Sequence, residues 1–126
     1  MAFTALSDLR IRQKWDEVLK TATIVEEKEE PESVIFRYTL PTPAFMTTRE
    51  AVIERKTMKD FPQEGAWTIH HKSVEHQDYP ENPKKFVRVA MKVNGMVFTD
   101  APEIEGCKLD WVIENDIGGN IPRALL

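Results

Sequence analysis

From Ala22 to Asp116 the chain is a series of short apolar or alternating segments, each closed by Pro, Gly, Asn or Asp. That spacing constrains the fold more than any other feature, because it admits little besides consecutive antiparallel strands. "ATIVEEKEE" and "VIFRYTL" flank a Pro-Glu-Ser turn and read as a hairpin. "PTPAFMTTRE" is broken by Pro41 and Pro43. "AVIERKTM" is a strand, "DFPQEG" a turn, "AWTIHHKSVEH" a longer strand and "QDYPENPKK" a loop. In "FVRVAMKV" the alternation puts Val87, Val89, Met91 and Val93 on one face and Arg88, Ala90 and Lys92 on the other. Asn94-Gly95 predicts a tight turn. "MVFTD" follows, then the loop "APEIEG" and a last strand, "KLDWVIEND", with Leu109, Trp111 and Ile113 on one face.

Before the strands, "SDLRIRQKWDEVLK" has helical spacing. Ser7 can cap it, Asp8 suits its positive end, and Ile11, Trp15, Val18 and Leu19 form one apolar stripe. Arg12 and Asp16, four apart, can pair at the border of that stripe. At the other end, Gly118-Gly119 makes a turn, Asn120 and Pro122 suit a helix start, and Arg123 to Leu126 begins an apolar helical pattern. The order is one helix, six or seven antiparallel strands and the start of a second helix. A meander has one apolar face, and that face must be covered.

The chain has 126 residues, 41% hydrophobic and 30% charged, with a net charge of −4. One domain over residues 1–126 is expected. The acidic balance argues against nucleic acid as a partner. A lone Cys107 permits no intrachain disulfide and fits a reducing compartment. No segment has the length of a membrane span or the core of a signal peptide. A cytoplasmic location is expected. His70, His71 and His76 invite a metal reading, but adjacent residues on a strand face opposite ways and no zinc spacing is present, so no metal and no other cofactor is expected. Cys107 reads as a small apolar residue.

In series, several short stretches carry a family resemblance. They are Arg-x-x-Trp-Asp in "RQKWD", "TTRE" before a strand, "KSV" in the long strand, "FVRV", and the closing "CKLDWVIENDIGGNIP". From about Leu6 to Leu126 the chain resembles the steroidogenic-acute-regulatory-protein-related lipid transfer domain, the START domain. The resemblance implies an α+β helix-grip fold, in which a curved antiparallel sheet wraps a C-terminal helix and one lipid lies between them. It also implies that this chain corresponds to the C-terminal two-thirds of such a domain, incomplete at both ends.

A lipid carrier must bury acyl chains at ~0.8 kcal/mol per methylene, on the order of 20 kcal/mol for two chains, and must satisfy a polar head at one end. The resemblance makes Arg12 and Asp16 candidates for that polar end, against the alternative of a surface ion pair worth a few tenths of a kcal/mol. It makes Arg55 an inward-facing candidate on its strand. Here Glu50 stands where the family usually has Asp, and Val34 to Leu40 offers no acid to pair with Arg55. The positions matching the aromatic cage of choline-binding members are Arg37, Ala51 and Lys92. None is aromatic, which disfavours phosphatidylcholine and leaves sterol, ceramide, fatty acid or another phospholipid. Trp15, Trp67, Met91 and Trp111 are core or cavity wall. Phe45 and Met46 form either a membrane-touching tip or a loop folded on its own protein.

Three functions compete. The first is a non-enzymatic lipid-binding or lipid-transfer module with transient membrane contact. The second is a self-associating interaction piece that no longer binds lipid. The third, an enzyme of the wider helix-grip superfamily, would need a positioned acid–base pair. An incomplete sheet exposes an edge and an apolar face, so a homo-oligomer is expected.

Overall fold

In a computed structural model that describes residues 2–125, the strand series forms one open, curved antiparallel sheet. The strands are β1 (Thr23–Lys28), β2 (Ser33–Leu40), β3 (Arg49–Lys59), β4 (Trp67–Ser73), β5 (Val87–Arg88), β6 (Ala90–Ala101) and β7 (Gly106–Asp116). Six follow chain order as β1-β2-β3-β4-β6-β7, and the short β5 lies parallel beside the start of β3.

The N-terminal segment is not the single helix that its periodicity predicts. It divides into α1 (Ala2–Ser7), α2 (Leu9–Arg12) and a 3-10 turn at Glu17–Leu19. Two aspartates cause the breaks. Asp8, not Ser7, caps α2, its carboxylate accepting from the Arg10 and Ile11 amides. Asp16 accepts from the Val18 amide and caps the 3-10 turn. Short polar side chains that bond nearby amides compete with continued helix. The expected apolar stripe breaks accordingly. Leu9 and Leu19 are buried, whereas Trp15 and Val18 are exposed.

A second correction concerns Asn94-Gly95. These residues sit inside β6, paired to His71 and His70 on one side and to Ile113 and Val112 on the other. Partners on both sides hold the dipeptide extended, and the hairpin turn falls instead at Pro102–Glu105. The alternation of "FVRVAMKV" also fails partway. The β6–β7 register shifts between Met91 and Val93, so Lys92 is an extra residue. A bulge inverts the phase of every later residue. Met91 is therefore buried, Val93 exposed, and Asn94 buried in the place Val93 was expected to take.

On the inner face, Phe36, Tyr38, Ala51, Ile53, Val89 and Met91 pack with Leu9 and Leu19. A second cluster, Ile69, Met96 and Phe98, is covered by Phe3 and Leu6 of α1. On the outer face, Glu50 is buried between two arginines. Its Oε1 accepts from Arg37 Nε at 2.7 Å, and its Oε2 accepts from Arg88 Nη2 at 3.1 Å. Arg37 also lies over the Phe86 and Tyr79 rings. The Arg88 guanidinium donates to the Tyr79 carbonyl, which ties down the loop before β5. Glu50 thus locks β2, β3 and β5 together.

The closing segment is anchored by Arg49, a buried residue of β3. It donates to the carbonyls of Thr47, Ile117 and Gly118. Gly118 and Gly119 have φ of +60° and +71°, and a Cβ on Gly119 would lie 2.6 Å from Arg49 Nη2. Both lie in the left-handed conformation that favours glycine, and a side chain at Gly119 would also have to displace the Arg49 guanidinium. The expected final helix is represented by a 3-10 turn at Arg123–Leu125, and Leu126 lies outside the described residues. No helix among the described residues is long and apolar enough to cross a membrane.

Removing the carboxylate between Arg37 and Arg88 leaves two cations without their partner. Glu50→Ala is expected to cost about 2–3 kcal/mol, less than the ~3–5 kcal/mol of a fully buried pair because both arginines keep some solvent contact. Glu50→Gln should cost less. Urea unfolding followed by circular dichroism measures both, and an unchanged midpoint for Glu50→Ala would remove Glu50 as the lock.

Candidate functional site

The pairing of β2, β3, β4, β6 and β7 places Val34, Arg55, His71, Asn94 and Ile113 in one row across the inner face. Three consecutive members, Arg55, His71 and Asn94, are polar and all are buried. This polar row separates the two apolar clusters. It exists because Arg55 and His71 stand opposite one another in register and the bulge at Lys92 turns Asn94 inward beside His71.

On one side of the row lies an open pocket of ≈ 360 Å³. Its wall includes Leu19, Phe36, Ile53 and Met91, with Trp111 and Ile113 from β7. Arg12 and Asp16 also line it. Arg12 Nε donates to Asp16 Oδ2 at 2.9 Å, and both side chains are about 15% exposed, at 14% and 15%. A sheltered pair with one face on a pocket is a different object from a solvated surface bridge. Asp16 uses one oxygen for this pair and the other for the Val18 amide, which fixes the carboxylate.

The polar atoms of the row are unevenly satisfied. Asn94 Oδ1 accepts from Trp111 Nε1 at 2.8 Å, and Asn94 Nδ2 lies 3.3 Å from the Met91 sulfur. His71 Nδ1 and Arg55 Nε are buried with no hydrogen-bond partner. Burial, reinforced by the nearby charges of Arg12, Arg55 and His70, pulls the His71 pKa down to about 3. The ring is therefore neutral at physiological pH. Burial likewise holds the Tyr38 phenol above its ordinary pKa, so it is a neutral hydroxyl in the pocket wall. Burial lowers the Arg55 pKa, opposed by Glu32.

Of the residues that sequence pointed to, Arg12, Asp16, Met91 and Trp111 line this one pocket. Arg55 faces the same side of the sheet but lines a neighbouring polar recess with Glu27 and Glu32. Its expected lack of an acidic partner is corrected. Glu32, one residue before β2 and outside Val34 to Leu40, accepts from Arg55 Nη2 at 3.2 Å. Trp15 is exposed, with the Arg12 guanidinium 5.9 Å from its ring. Trp67 packs on Phe3 at 4.9 Å, away from the pocket. Phe45 is 73% exposed, and with Met46 it lines a shallow recess beside Arg49 and Pro122. Of the three cage positions, Ala51 is core, Lys92 is exposed, and Arg37 pairs with Glu50 on the outer face. Cys107 is exposed on β7 rather than packed.

Sequence reasoning missed Phe36, Tyr38, His71 and Asn94 as pocket residues. Phe36 and Tyr38 were findable from the alternation of β2. In the sequence His71 reads only as part of a histidine pair, and Asn94 only as half of a turn signal. His70 and His71 do face opposite sides, and among the described residues no cluster of three His, Cys, Asp or Glu could hold a metal.

An open, curved antiparallel sheet with few helices matches the helix-grip fold. The START domain family matches residues 2–126, and the chain belongs to it. Three solved human structures share the fold. They are STARD10 (20% identity, TM-score 0.78, covering 98% of this chain and 48% of that one), the StarD13 (DLC2) lipid transfer and protein localization domain (23%, 0.68, 94% and 57%) and StAR-related lipid transfer protein 5 (21%, 0.71, 91% and 54%). The chain thus spans about half the length of these relatives, less than the two thirds expected from sequence. No curated protein matches it in sequence.

A histidine held neutral by the fold links stability to pH. The folded pKa of about 3 lies below the ordinary 6.5, so the unfolded chain binds the proton more readily. The contribution is fully present above pH 6.5 and is lost progressively as pH falls toward 3. Between pH 7 and pH 5 it amounts to about 2 kcal/mol. Urea unfolding at the two pH values should show this loss in the wild type and not in His71→Phe; equal losses in both proteins would refute it.

Proposed function

We propose that residues 1–126 act as one non-enzymatic lipid-binding domain that takes a lipid into the pocket bounded by Arg12, Asp16, Phe36, Tyr38, Met91 and Trp111. The observation that carries this reading is the inner face itself, where an apolar wall ends on buried polar atoms without partners. A hydroxyl or carbonyl of a lipid would satisfy His71 Nδ1 while its hydrocarbon covers Ile53, Phe36 and Met91. Each methylene so covered contributes ~0.8 kcal/mol. Arg12 and Asp16 would supply further hydrogen bonds from the pocket lining.

The volume favours a compact ligand. At ≈ 360 Å³ the pocket lies near the lower end of small-molecule sites, which run from roughly 300 to 1,000 Å³. A sterol or a single acyl chain suits it better than a phospholipid with two chains. Binding without chemistry is favoured by the state of the titratable groups. A general base works best with a pKa near the working pH, whereas His71 sits at about 3 and Asp16 is fixed by two bonds. We place the protein's work in the cytoplasm, between membranes, with Phe45 and Met46 as the contact with the bilayer surface.

Native mass spectrometry of the protein as purified from cells, followed by lipid extraction, tests the binding. A lipid adduct at defined stoichiometry is expected, reduced in Trp111→Ala and in Arg12→Met. A clean apo protein that also takes up no sterol or fatty acid from vesicles would end the lipid reading. Membrane contact is tested separately. Phe45→Asp should lower co-sedimentation with neutral vesicles while leaving the urea midpoint unchanged, and equal co-sedimentation would remove that loop from the contact.

A further inference from the structure

The buried Arg49 guanidinium holds two stretches of chain that are far apart in the sequence. Nη1 donates to the Thr47 carbonyl at 2.6 Å, at the end of the loop of residues 41–48 that carries Phe45 and Met46. Nη2 donates to the Gly118 carbonyl at 3.0 Å and Nε to the Ile117 carbonyl at 3.4 Å, both in the closing turn. A buried guanidinium needs partners for its N–H groups. It is also a flat, rigid fork whose donors keep fixed angles to one another. It therefore cannot follow one acceptor and keep the others. When the Gly118 carbonyl moves, the fork either gives up its bonds to the turn or rotates with it, and rotation swings Nη1 off Thr47.

A second link runs through Val87. Both glycines of the turn lie against its side chain. A Cβ on Gly118 would be 3.0 Å from Val87 Cγ1, and one on Gly119 would be 3.4 Å from Val87 Cγ2. The Val87 amide donates in turn to the Thr48 carbonyl at 3.0 Å. The polar link and the packing link thus reach the loop at adjacent residues, Thr47 and Thr48. The recess between the two segments is lined from both sides, by Phe45 and Met46 of the loop and by Asn120 and Pro122 beyond the turn.

We propose that the loop of residues 41–48 and the closing turn of residues 117–119 are one conformational unit, coupled through the Arg49 guanidinium, so that displacing either displaces the other. Such a coupling between two equilibria is reciprocal. Phe45 is 73% exposed, and any surface that draws it out of place loosens the Gly118–Gly119 turn without touching it. The turn is suited to respond. Both glycines are in the left-handed conformation, which glycine enters and leaves at little steric cost. The coupling does not depend on the lipid reading.

Amide hydrogen exchange followed by NMR on the 126-residue chain tests it. Met46, bonded to the Pro43 carbonyl at 2.9 Å, reports on the loop. Gly118, bonded to Asp116 Oδ1 at 2.9 Å, reports on the turn. Ile69, fully buried in β4, reports on the whole fold. Gly119→Ala places a Cβ 2.6 Å from Arg49 Nη2 and should speed exchange at Met46 several-fold. Arg49→Lys keeps the charge but loses the fork, and should speed exchange at both Met46 and Gly118. In the reverse direction, Pro43→Gly frees the loop backbone and should speed exchange at Gly118. Pro43 is exposed, so its variant carries the test if a change in the turn prevents folding. Ile69 should be unchanged in all three proteins. Wild-type exchange at Met46 in Gly119→Ala, or at Gly118 in Pro43→Gly, overturns the proposal. A rise of the same size at Ile69 overturns it too, because the two segments would then open only with the whole fold.

Discussion

One extra residue in β6 governs the inner face. Lys92 has no opposite number in β7, and a strand that carries an unmatched residue exchanges its two faces beyond that point. Without the bulge, Val93 would point inward and Asn94 outward. With it, Asn94 joins Arg55 and His71 in a single row, and Trp111 gains an acceptor for its indole. The pocket wall, the division between the two apolar clusters and the anchoring of Trp111 all follow from that phase change.

The polar row is costly and is only partly satisfied. Buried polar groups without partners destabilise a fold by about 1–3 kcal/mol each. They persist where the rest of the structure is strong enough to hold them. Here that strength comes from the outer face, where Glu50 joins Arg37 and Arg88 across three strands, and from Arg49, which gathers the carbonyls of the closing Gly-Gly turn. The two sides of the sheet thus have different duties. The outer face fixes the strands by charge, and the inner face keeps unpaired polar atoms beside apolar surface.

Much of the architecture was legible in the sequence. The hairpin of β1 and β2, the long β3 and β4 and the closing β7 each carry local patterns, because side-chain alternation follows directly from strand geometry. Arg12 and Asp16 were legible for a similar reason, since they lie within one helical turn. The errors have a common cause. Asn94-Gly95 has the composition of a turn, but strands on both sides supply the pairing that keeps it extended. The N-terminal helix has the right period, but Asp8 and Asp16 offer the backbone closer partners than the next helical turn does. The acid that pairs with Arg55, Glu32, stands one residue before β2, so the alternation of that strand does not reveal it.

The sequence by itself therefore determined the run of antiparallel strands, the family resemblance and the spacing that lets Arg12 and Asp16 pair, whereas the sheltering of that pair and the continuity of β6 through Asn94-Gly95 came from the structure. Only the tertiary structure decided which side chains share the inner face and that Arg55, His71 and Asn94 meet in one row. Those outcomes depend on register between segments tens of residues apart. A one-residue shift in register reverses every face, and no local pattern records where such a shift occurs.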